Sequence, residues 1–425
     1  MEITKPQTPR AWRWIPTLYF CEGVPNAVVV TLSVVMFKNL GLSNAALAYY
    51  TSWLYLPWVV KPLWSPVVEL FGHKRRWIVT LQFAMGLAFG AIALALPFPG
   101  FVGPVLALLW LMAFCSATHD IAADGLYLDA LPAHEQAAFV GVRNTCFRLA
   151  TMAGKGGLVA LAGALIGLTG GVARGWSLVF VLLAVFFGLS GVHHQRALPV
   201  PAEGSRERRD GRSVLKDFVE AFRSFFAKPG IGLTLFFLLV YRLAEALALK
   251  MVEPFLLDPR SAGGLGLTNE QLGLSYGFFG VVSLLLGGLL GGLLISRHGL
   301  RRMLWPMILA MHVPIGVFVL LARTQPENLA LVGGALALEQ FGYGFGFTAY
   351  MVWMMKVAEG AHRTAHYAIC TGFMALGLML PGLKAGWLQE RLGYADFFLW
   401  VCVATLPSFA AAALLKIDPA YGRKA

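Results

Sequence analysis

The run Phe114-Cys-Ser-Ala-Thr-His119-Asp120-Ile-Ala-Ala-Asp124-Gly-Leu-Tyr-Leu-Asp129 belongs to an apolar stretch, 102–128, long enough to cross a membrane. Ionisable groups at membrane depth are costly and are kept mainly where a pathway or a site uses them. The run therefore reads at once as part of a transmembrane helix and as a candidate functional element.

The rest of the chain places that helix among others. Of 425 residues, 58% are hydrophobic and 13% charged, a balance that a water-exposed domain of this length cannot carry without aggregating. A helix needs roughly 20 apolar residues to span the hydrocarbon core, and about twelve such stretches occur. They cover 13–38, 44–70, 77–97, 102–128, 137–168, 174–194, 230–256, 268–296, 302–323, 328–356, 364–390 and 395–416. The expected fold is an all-α membrane protein. The segment before the first span is short and polar, and that span is too long for a cleaved signal peptide, so it is expected to stay in the mature protein.

The formal charge of +12 is distributed by topology. Lys5, Arg10 and Arg13 precede the first span, and Lys74, Arg75 and Arg76 follow the second. Arg196, Arg206, Arg208, Arg209, Arg212 and Lys216 follow the sixth, Arg297, Arg301 and Arg302 the eighth, and Arg423 and Lys424 the last. The alternate loops hold only Lys38, Arg174, Arg260, Arg323 and Arg391. The positive-inside rule places both termini in the cytoplasm. With the charge explained in this way, no nucleic-acid partner is assigned. Cys21, Cys115, Cys146, Cys370 and Cys402 all fall within spans, where cysteine acts as a small apolar residue, and no zinc spacing is present.

A polar segment rich in Pro, Gly and Arg, 195–212, divides the spans evenly, giving expected units at 1–194 and 230–425 joined by a linker, 195–229. Within 213–228, apolar Val214, Leu215, Phe218, Val219, Phe222, Phe225 and Phe226 oppose Lys216, Asp217, Glu220 and Arg223. This pattern fits a helix on the membrane surface and, equally, an extension of the seventh span. The halves echo one another: Ser65-Pro-Val-Val-Glu69-Leu-Phe-Gly72-His-Lys-Arg75-Arg76 follows the second span and Gly292-Leu-Leu-Ile-Ser296-Arg297-His-Gly299-Leu-Arg301-Arg302 the eighth. Each is a helix end, a polar residue, a glycine turn and a basic pair. The echo resembles the loop motif of the major facilitator superfamily, Gly-x-x-x-Asp-Arg-x-Gly-Arg-Arg. Twelve spans split by a linker fit that fold, two bundles of six helices. The resemblance implies a gating role for Glu69, Arg75, Arg76, Arg297 and Arg301, with Ser296 in the acidic position of the second copy.

Further charges lie inside the spans: Glu22, Lys61, Arg148, Lys155, Arg242, Glu245, Lys250, Glu339 and Lys384. Snorkelling to the headgroups accounts for Glu69, Lys356 and Lys250. Glu22, Lys61, Asp120, Arg148, Glu339 and Lys384 lie deeper and must face protein, a partner or water. Asp120 and Asp124 share a helix face, as do Arg242 and Glu245, whose opposite signs suit an ion pair. Such charges either neutralise one another structurally or line a solute cavity. Basic and acidic members are about equally numerous, so protonating any carboxylate leaves a positive cavity suited to an anionic solute. On this reading Asp120, Asp124, Glu22 and Glu339 are the proton-coupling candidates, and Lys61, Arg148, Lys155, Arg242, Glu245, Lys384 and His119 the solute-binding ones. His119 points about 100° away from Asp120 on the helix and reads as either a packed core histidine or a pH-sensitive group. Lys61-Pro62 and Pro381-Gly-Leu-Lys384 are expected to place a helix break beside a buried charge. The remaining glycines, including Gly342, Gly344 and Gly346, suit close helix packing.

Several of these pieces together resemble the AmpG muropeptide permeases and their relatives within the same superfamily. They are Glu22-Gly-x-Pro25, Lys61-x-x-Trp64-Ser-Pro66, Phe114-Cys-Ser-Ala-x-x-Asp120-Ile-x-x-Asp124 with Asp129, and Arg148-Leu149. In the second half they are Tyr241-Arg-Leu-x-Glu245, Glu339-x-x-Gly342-x-Gly344-x-Gly346 and Pro381-x-x-x-Ala-Gly-Trp387. The resemblance implies proton-driven import of an anhydromuramyl-peptide by a monomer in the bacterial inner membrane, with no cofactor. It also places Lys61, Asp120, Asp124 and Arg148 on family positions. Some members carry two additional helices that are not found among these twelve stretches, and the chain departs from the pattern in having His119 where Gln is expected and in Lys384. Acyl-CoA or a siderophore-type carboxylate is the alternative passenger. A membrane transferase using Asp120 and Asp124 is the rival class, but no phosphate loop, nucleophile elbow or zinc helix accompanies them.

Overall fold

The computed structural model describes residues 11–70, 73–131, 133–199 and 211–423, with side chains at 69, 70, 133, 134, 136–138, 140 and 211–215 outside the described set. All twelve predicted stretches are helical. They are Ile15–Asn39 (α1), Asn44–Trp53 with Leu56–Leu70 (α2), Lys74–Ala95 (α3), Val102–Ala130 (α4), Ala133–Met152 continuing to Val159–Thr169 (α5) and Val172–Ala197 (α6). After Gly211–Phe226 (α7) come Ile231–Leu257 (α8), Asn269–His298 (α9), Leu300–Thr324 (α10), Leu329–Val357 (α11), Arg363–Val403 (α12) and Leu406–Leu414 (α13). α12 breaks at Gly393, which stands at φ 73°, and its second arm runs on toward α13 to form the last span. Large aliphatic side chains along the helices, among them Leu87, Leu94, Leu168 and Leu289, are exposed. An outward apolar surface of this kind suits lipid rather than water.

Local chemistry sets the helix ends. Thr268 and Gln271 form a reciprocal capping box at the start of α9, and the Asn328 side chain accepts from the amides of Ala330 and Leu331 to start α11. Gly299, at φ 81°, makes the turn from α9 to α10. This is the glycine of the second basic-turn motif; Phe71 and Gly72 of the first copy lie outside the described residues. So do Lys5, Arg10, Arg206, Arg208, Arg209 and Lys424. α7 is a helix of its own, separated from α8 by a turn in which Gly230 is left-handed, so it is not an extension of the seventh span.

The helix breaks differ from the expected ones. The backbone runs helically through Pro62 and Pro381, because a membrane helix whose neighbours satisfy the freed carbonyl tolerates proline. Breaks occur instead at Leu54–Tyr55 in α2 and at Tyr241–Arg242 in α8, and α1, α5 and α9 widen into π-helical turns at Val28–Leu32, Ala153–Leu158 and Gly273–Gly280. π-Turns inside α-helices are rare and concentrate at functional sites.

The chain packs as two compact units. The first comprises Met1–Leu32, Leu63–Gly154 and Ala164–Asp217; the second comprises Ser33–Pro62, Lys155–Gly163 and Phe218–Ala425. The core of the first gathers Trp14, Ile15, Leu18, Tyr19, Ile78, Ala122, Leu126 and Tyr127. The second centres on Phe237, Tyr241, Met307, Met311, Tyr350 and Met354. Small residues bring backbones together in both. In the first, a Cβ at Gly23 would lie 2.7 Å from the Ala150 Cβ, and one at Gly154 2.6 Å from that of Ala27, so α1 lies directly on α5. In the second, Gly342 and Gly346 face α10 at the Ala310 and Met307 carbonyls, while Gly344 faces the Leu284 carbonyl of α9. The Gly-x-Gly-x-Gly run thus admits one helix on each side of α11, the close packing expected of it.

Candidate functional site

In the first unit, close α1–α5 packing sets Arg143 of α5 against Tyr19 of α1 and Asp124 of α4. The guanidinium donates to Asp124 Oδ1 at 2.6 Å and lies 4.5 Å from the Tyr19 ring centroid and 5.2 Å from that of Tyr127. Tyr19 Oη also donates to Asp124 Oδ1, at 3.2 Å. The result is a cation held between two aromatic faces with a carboxylate at its tip. Glu22, buried one turn along α1, contributes negative charge to the same group. The Asp124 side chain keeps 43% of its exposure, so its bond to Arg143 is open to exchange. Asp120 is half-buried and engaged in contacts of its own.

A second polar chain crosses four helices of this unit. His119 Nε2 lies 3.1 Å from Gln82 Nε2, Gln82 Oε1 lies 2.9 Å from His194 Nδ1, and His194 Nε2 lies 3.0 Å from Thr17 Oγ1. His119 and His194 are fully buried. His119 is therefore tied into α3 and α6 through Gln82, the packed-histidine arrangement of its two readings. At the end of α4, Lys74 donates to Asp129 at 2.8 Å. Gly125 makes room for it, since a Cβ there would meet the Lys74 Cε at 2.7 Å. Nearby, Arg75 donates to the Gln195 carbonyl, Arg76 is exposed, and the Glu69 side chain lies outside the described residues. Arg148 is half-buried on α5.

In the second unit, the break in α8 leaves Arg242 at a non-helical residue that caps the following helix. Its Nε and Nη2 donate to Glu245 at 2.6 and 2.7 Å, forming the ion pair predicted from their spacing. Nη2 also donates to Tyr343 Oη at 2.8 Å, and the Phe347 ring covers the cation at 4.7 Å.

One helical stretch further, Lys155 sits on the π-turn of α5. Its Nζ lies 3.9 Å from Glu253 Oε1 and 4.3 Å from the centroid of Tyr276, itself on the π-turn of α9. Gln340 continues the chain, donating to Glu339 at 2.8 Å and to Tyr276 Oη at 3.4 Å. Lys250 is 2% exposed and donates to Thr51 Oγ1 at 3.0 Å over the Tyr55 ring. It does not snorkel: Thr51 and Tyr55 of α2 give the ammonium a partner inside the protein, and the side chain has no need to reach the headgroups. Pro254 excludes a helical bond to the Lys250 carbonyl, loosening α8 beside both charges.

Of the remaining sequence candidates, Lys61 is half-buried with contacts of its own. Lys384 is exposed beside Trp387, and Arg297 and Arg301 are exposed at the Gly299 turn. At the other end of this unit Lys38 pairs with Asp258 at 2.6 Å, while Asn44 donates to Gln389 and Asp258. Arg143, Glu253, Tyr276 and Gln82 escaped the sequence reading. Glu253 had a detectable signal, a carboxylate three residues from Lys250 on one helix face. Arg143 had none beyond its charge, because its partners come from other helices. Among the described residues no group of three or more His, Cys, Asp or Glu is placed to hold a metal.

Comparison with known proteins adds three findings. The Major Facilitator Superfamily profile matches residues 17–363. The anhydromuropeptide permease of Escherichia coli (strain K12) is 27% identical over 406 residues, covering 92% of this chain and 76% of that protein. A protein of Rickettsia conorii described as putative transporter AmpG 4 is 24% identical over 91% of this chain and 92% of its own. Among solved structures, a D-xylose-proton symporter superposes with a TM-score of 0.69 at 14% identity, covering 98% of each chain. The nucleoside transporter NupG gives 0.67 at 15%, covering 96% of this chain and 98% of its own.

Proposed function

The chain belongs to the Major Facilitator Superfamily, and from that premise we propose that it is a proton-coupled importer of anhydromuropeptide, working by alternating access as a monomer in a bacterial inner membrane with both termini cytoplasmic. The similarity to the Escherichia coli permease, spread over 92% of the chain, supports the passenger. The observation that carries the reading is the Arg143 seat. A guanidinium seated against two buried tyrosine rings, whose counter-ion Asp124 is half-exposed, offers a forked donor for a carboxylate. A peptide-bearing sugar acid presents carboxylates.

In this scheme the solute's carboxylates displace Asp124 from Arg143. Arg148 is a further solute contact in the first unit, and Lys61, Lys155, Lys384 and the Arg242–Glu245 pair are the proposed contacts of the second unit, while His119 stays packed against Gln82. A carboxylate released from its cation gains affinity for a proton, so Asp120, Asp124, Glu22 and Glu339 carry the coupling, with Asp120 first because it adjoins both His119 and the Asp124 face. Glu69, Arg75, Arg76, Arg297 and Arg301 act at the basic turns as a gate. No step makes or breaks a covalent bond in the solute, so the protein acts as a carrier rather than an enzyme.

A thermal-shift series on the purified protein with anhydromuropeptide, acyl-CoA and a ferric siderophore separates the passengers. Anhydromuropeptide is expected to raise the unfolding midpoint, with Arg143→Gln abolishing the rise. A rise with acyl-CoA or siderophore and none with anhydromuropeptide overturns the assignment.

A further inference from the structure

We propose that Glu253 is a further coupling carboxylate, required beside those named above, at which proton binding and solute binding are linked, with Lys155 as the cation that the two events share. The proposal rests on the transport reading above and adds a residue that reading does not use.

The geometry is built for a cation that changes partners. Gly156 of α5 and Gly273 and Gly277 of α9 bring two π-turns into backbone contact: a Cβ at Gly277 would lie 2.4 Å from the Gly156 Cα, and one at Gly273 2.6 Å from the Gly156 carbonyl. This contact fixes Lys155 over the Tyr276 ring at 4.3 Å. The ring attracts the ammonium without neutralising it, so the cation stays seated if its carboxylate lets go. That carboxylate is held loosely, since Lys155 Nζ stops 3.9 Å from Glu253 Oε1, beyond a hydrogen bond. Glu253 Oε1 is buried and has no hydrogen-bond partner among the described residues. Glu339, the other carboxylate of this chain of groups, accepts a full hydrogen bond from Gln340. Glu253 is therefore the member with an unfilled acceptor position. The Lys155 side chain retains 12% exposure against 4% for Glu253, so the cation is the more accessible of the two.

The groups facing Glu253 from each packed element are Lys155 from α5, Lys250 from α8 itself, Tyr55 from α2 and Tyr276 from α9. Gln340 and Glu339 of α11 lie behind Tyr276. α12 brings Gly382 against the Lys250 stem and keeps Lys384 exposed. Charge balance then gives the coupling rule. At rest Lys155 is the cation paired with an ionised Glu253, while Lys250 is held by Thr51 and the Tyr55 ring. When an anionic group of the solute pairs with Lys155, Glu253 loses its counter-ion in a dry setting and takes up one proton on its carboxylate. One negative charge and one proton enter together, the ammonium keeps its own protons, and the buried net charge is unchanged. Either event alone changes that net charge by one.

The test uses the full chain in proteoliposomes with labelled anhydromuropeptide as probe. Two modes are read: accumulation under an inward proton gradient, and counterflow, the exchange of labelled for unlabelled solute with no net proton movement. Glu253→Gln imitates the protonated state. It is expected to lose accumulation above equilibrium while keeping counterflow within about threefold of wild type. Lys155→Gln is expected to lose both. Accumulation retained in Glu253→Gln overturns the proposal, and so does loss of counterflow in a variant that elutes as a monodisperse species. If the amide variant does not fold, Glu253→Asp serves: coupling is expected to persist at a slower rate, and uncoupled uptake overturns the proposal. A wild-type protein that moves no anhydromuropeptide in either mode overturns the substrate reading and this inference with it. A wild type that accumulates the solute beside an indifferent Glu253→Gln overturns this inference alone.

Discussion

Glu245→Gln tests whether the Arg242 pair holds the second unit together. Both side chains are nearly inaccessible, at 5% and 6% exposure, and two charge-assisted hydrogen bonds join them. The amide removes the charge, keeps one acceptor and turns donors toward a guanidinium. One cation is then buried without its counter-ion, a change that costs about 3–5 kcal/mol. Tyr343 still accepts from Nη2 and Phe347 still covers the cation, which places the cost near the lower end, about 3 kcal/mol. For a folding unit of roughly 150–250 residues this corresponds to a fall in unfolding midpoint of about 6–12 °C. Tryptophan fluorescence during heating in detergent reads the midpoint. The double variant Arg242→Met with Glu245→Met removes both charges and is expected to lie within about 1.5 kcal/mol of wild type, the residue being the lost Tyr343 bond. A single variant that melts within about 2 °C of wild type, or a double variant as unstable as the single, refutes the reasoning.

Three further outcomes follow from the packing. Asp124→Asn breaks a partly exposed pair, so stability is expected to change by no more than about 1 kcal/mol while solute uptake falls about tenfold or more; a large midpoint loss with normal uptake would make Asp124 structural. Gly277→Ala drives a methyl group into the Gly156 backbone and is expected to cost about 1–3 kcal/mol and to abolish uptake by displacing Lys155. Gly157→Ala, whose Cβ meets nothing within 4 Å, is expected to leave both unchanged. Gly299→Ala forces a side chain into a left-handed turn at φ 81°, 3.0 Å from the Pro419 carbonyl, and is expected to lower stability by about 1–3 kcal/mol, again read from the melting midpoint.

The sequence reveals most where one helix suffices to explain a feature. Apolar length marked stretches that are all helical, including the nine helices among the described residues that are long and apolar enough to cross a membrane, the Arg242–Glu245 spacing gave an ion pair that forms as expected, and the glycines at 342, 344 and 346 mark two packing faces of α11. It reveals least where partners come from separate helices. Arg143 meets Asp124 and Tyr19 because small residues on α1 and α5 let those helices touch, and no local pattern names that pairing. The π-turns under Lys155 and Tyr276 depend on where one backbone presses on another, so Pro62 and Pro381 were poor guides to the breaks. Lys250 looked like a snorkelling residue because it lies near a span end. Its partners, Thr51 and Tyr55, sit far away in the chain.

The central claim is that a proton gradient drives solute uptake. In proteoliposomes holding the full chain, labelled anhydromuropeptide is predicted to accumulate above its external concentration when the outside is acid and to leak back to equilibrium when a protonophore is added. Accumulation that ignores the gradient, or no uptake under it, contradicts the account.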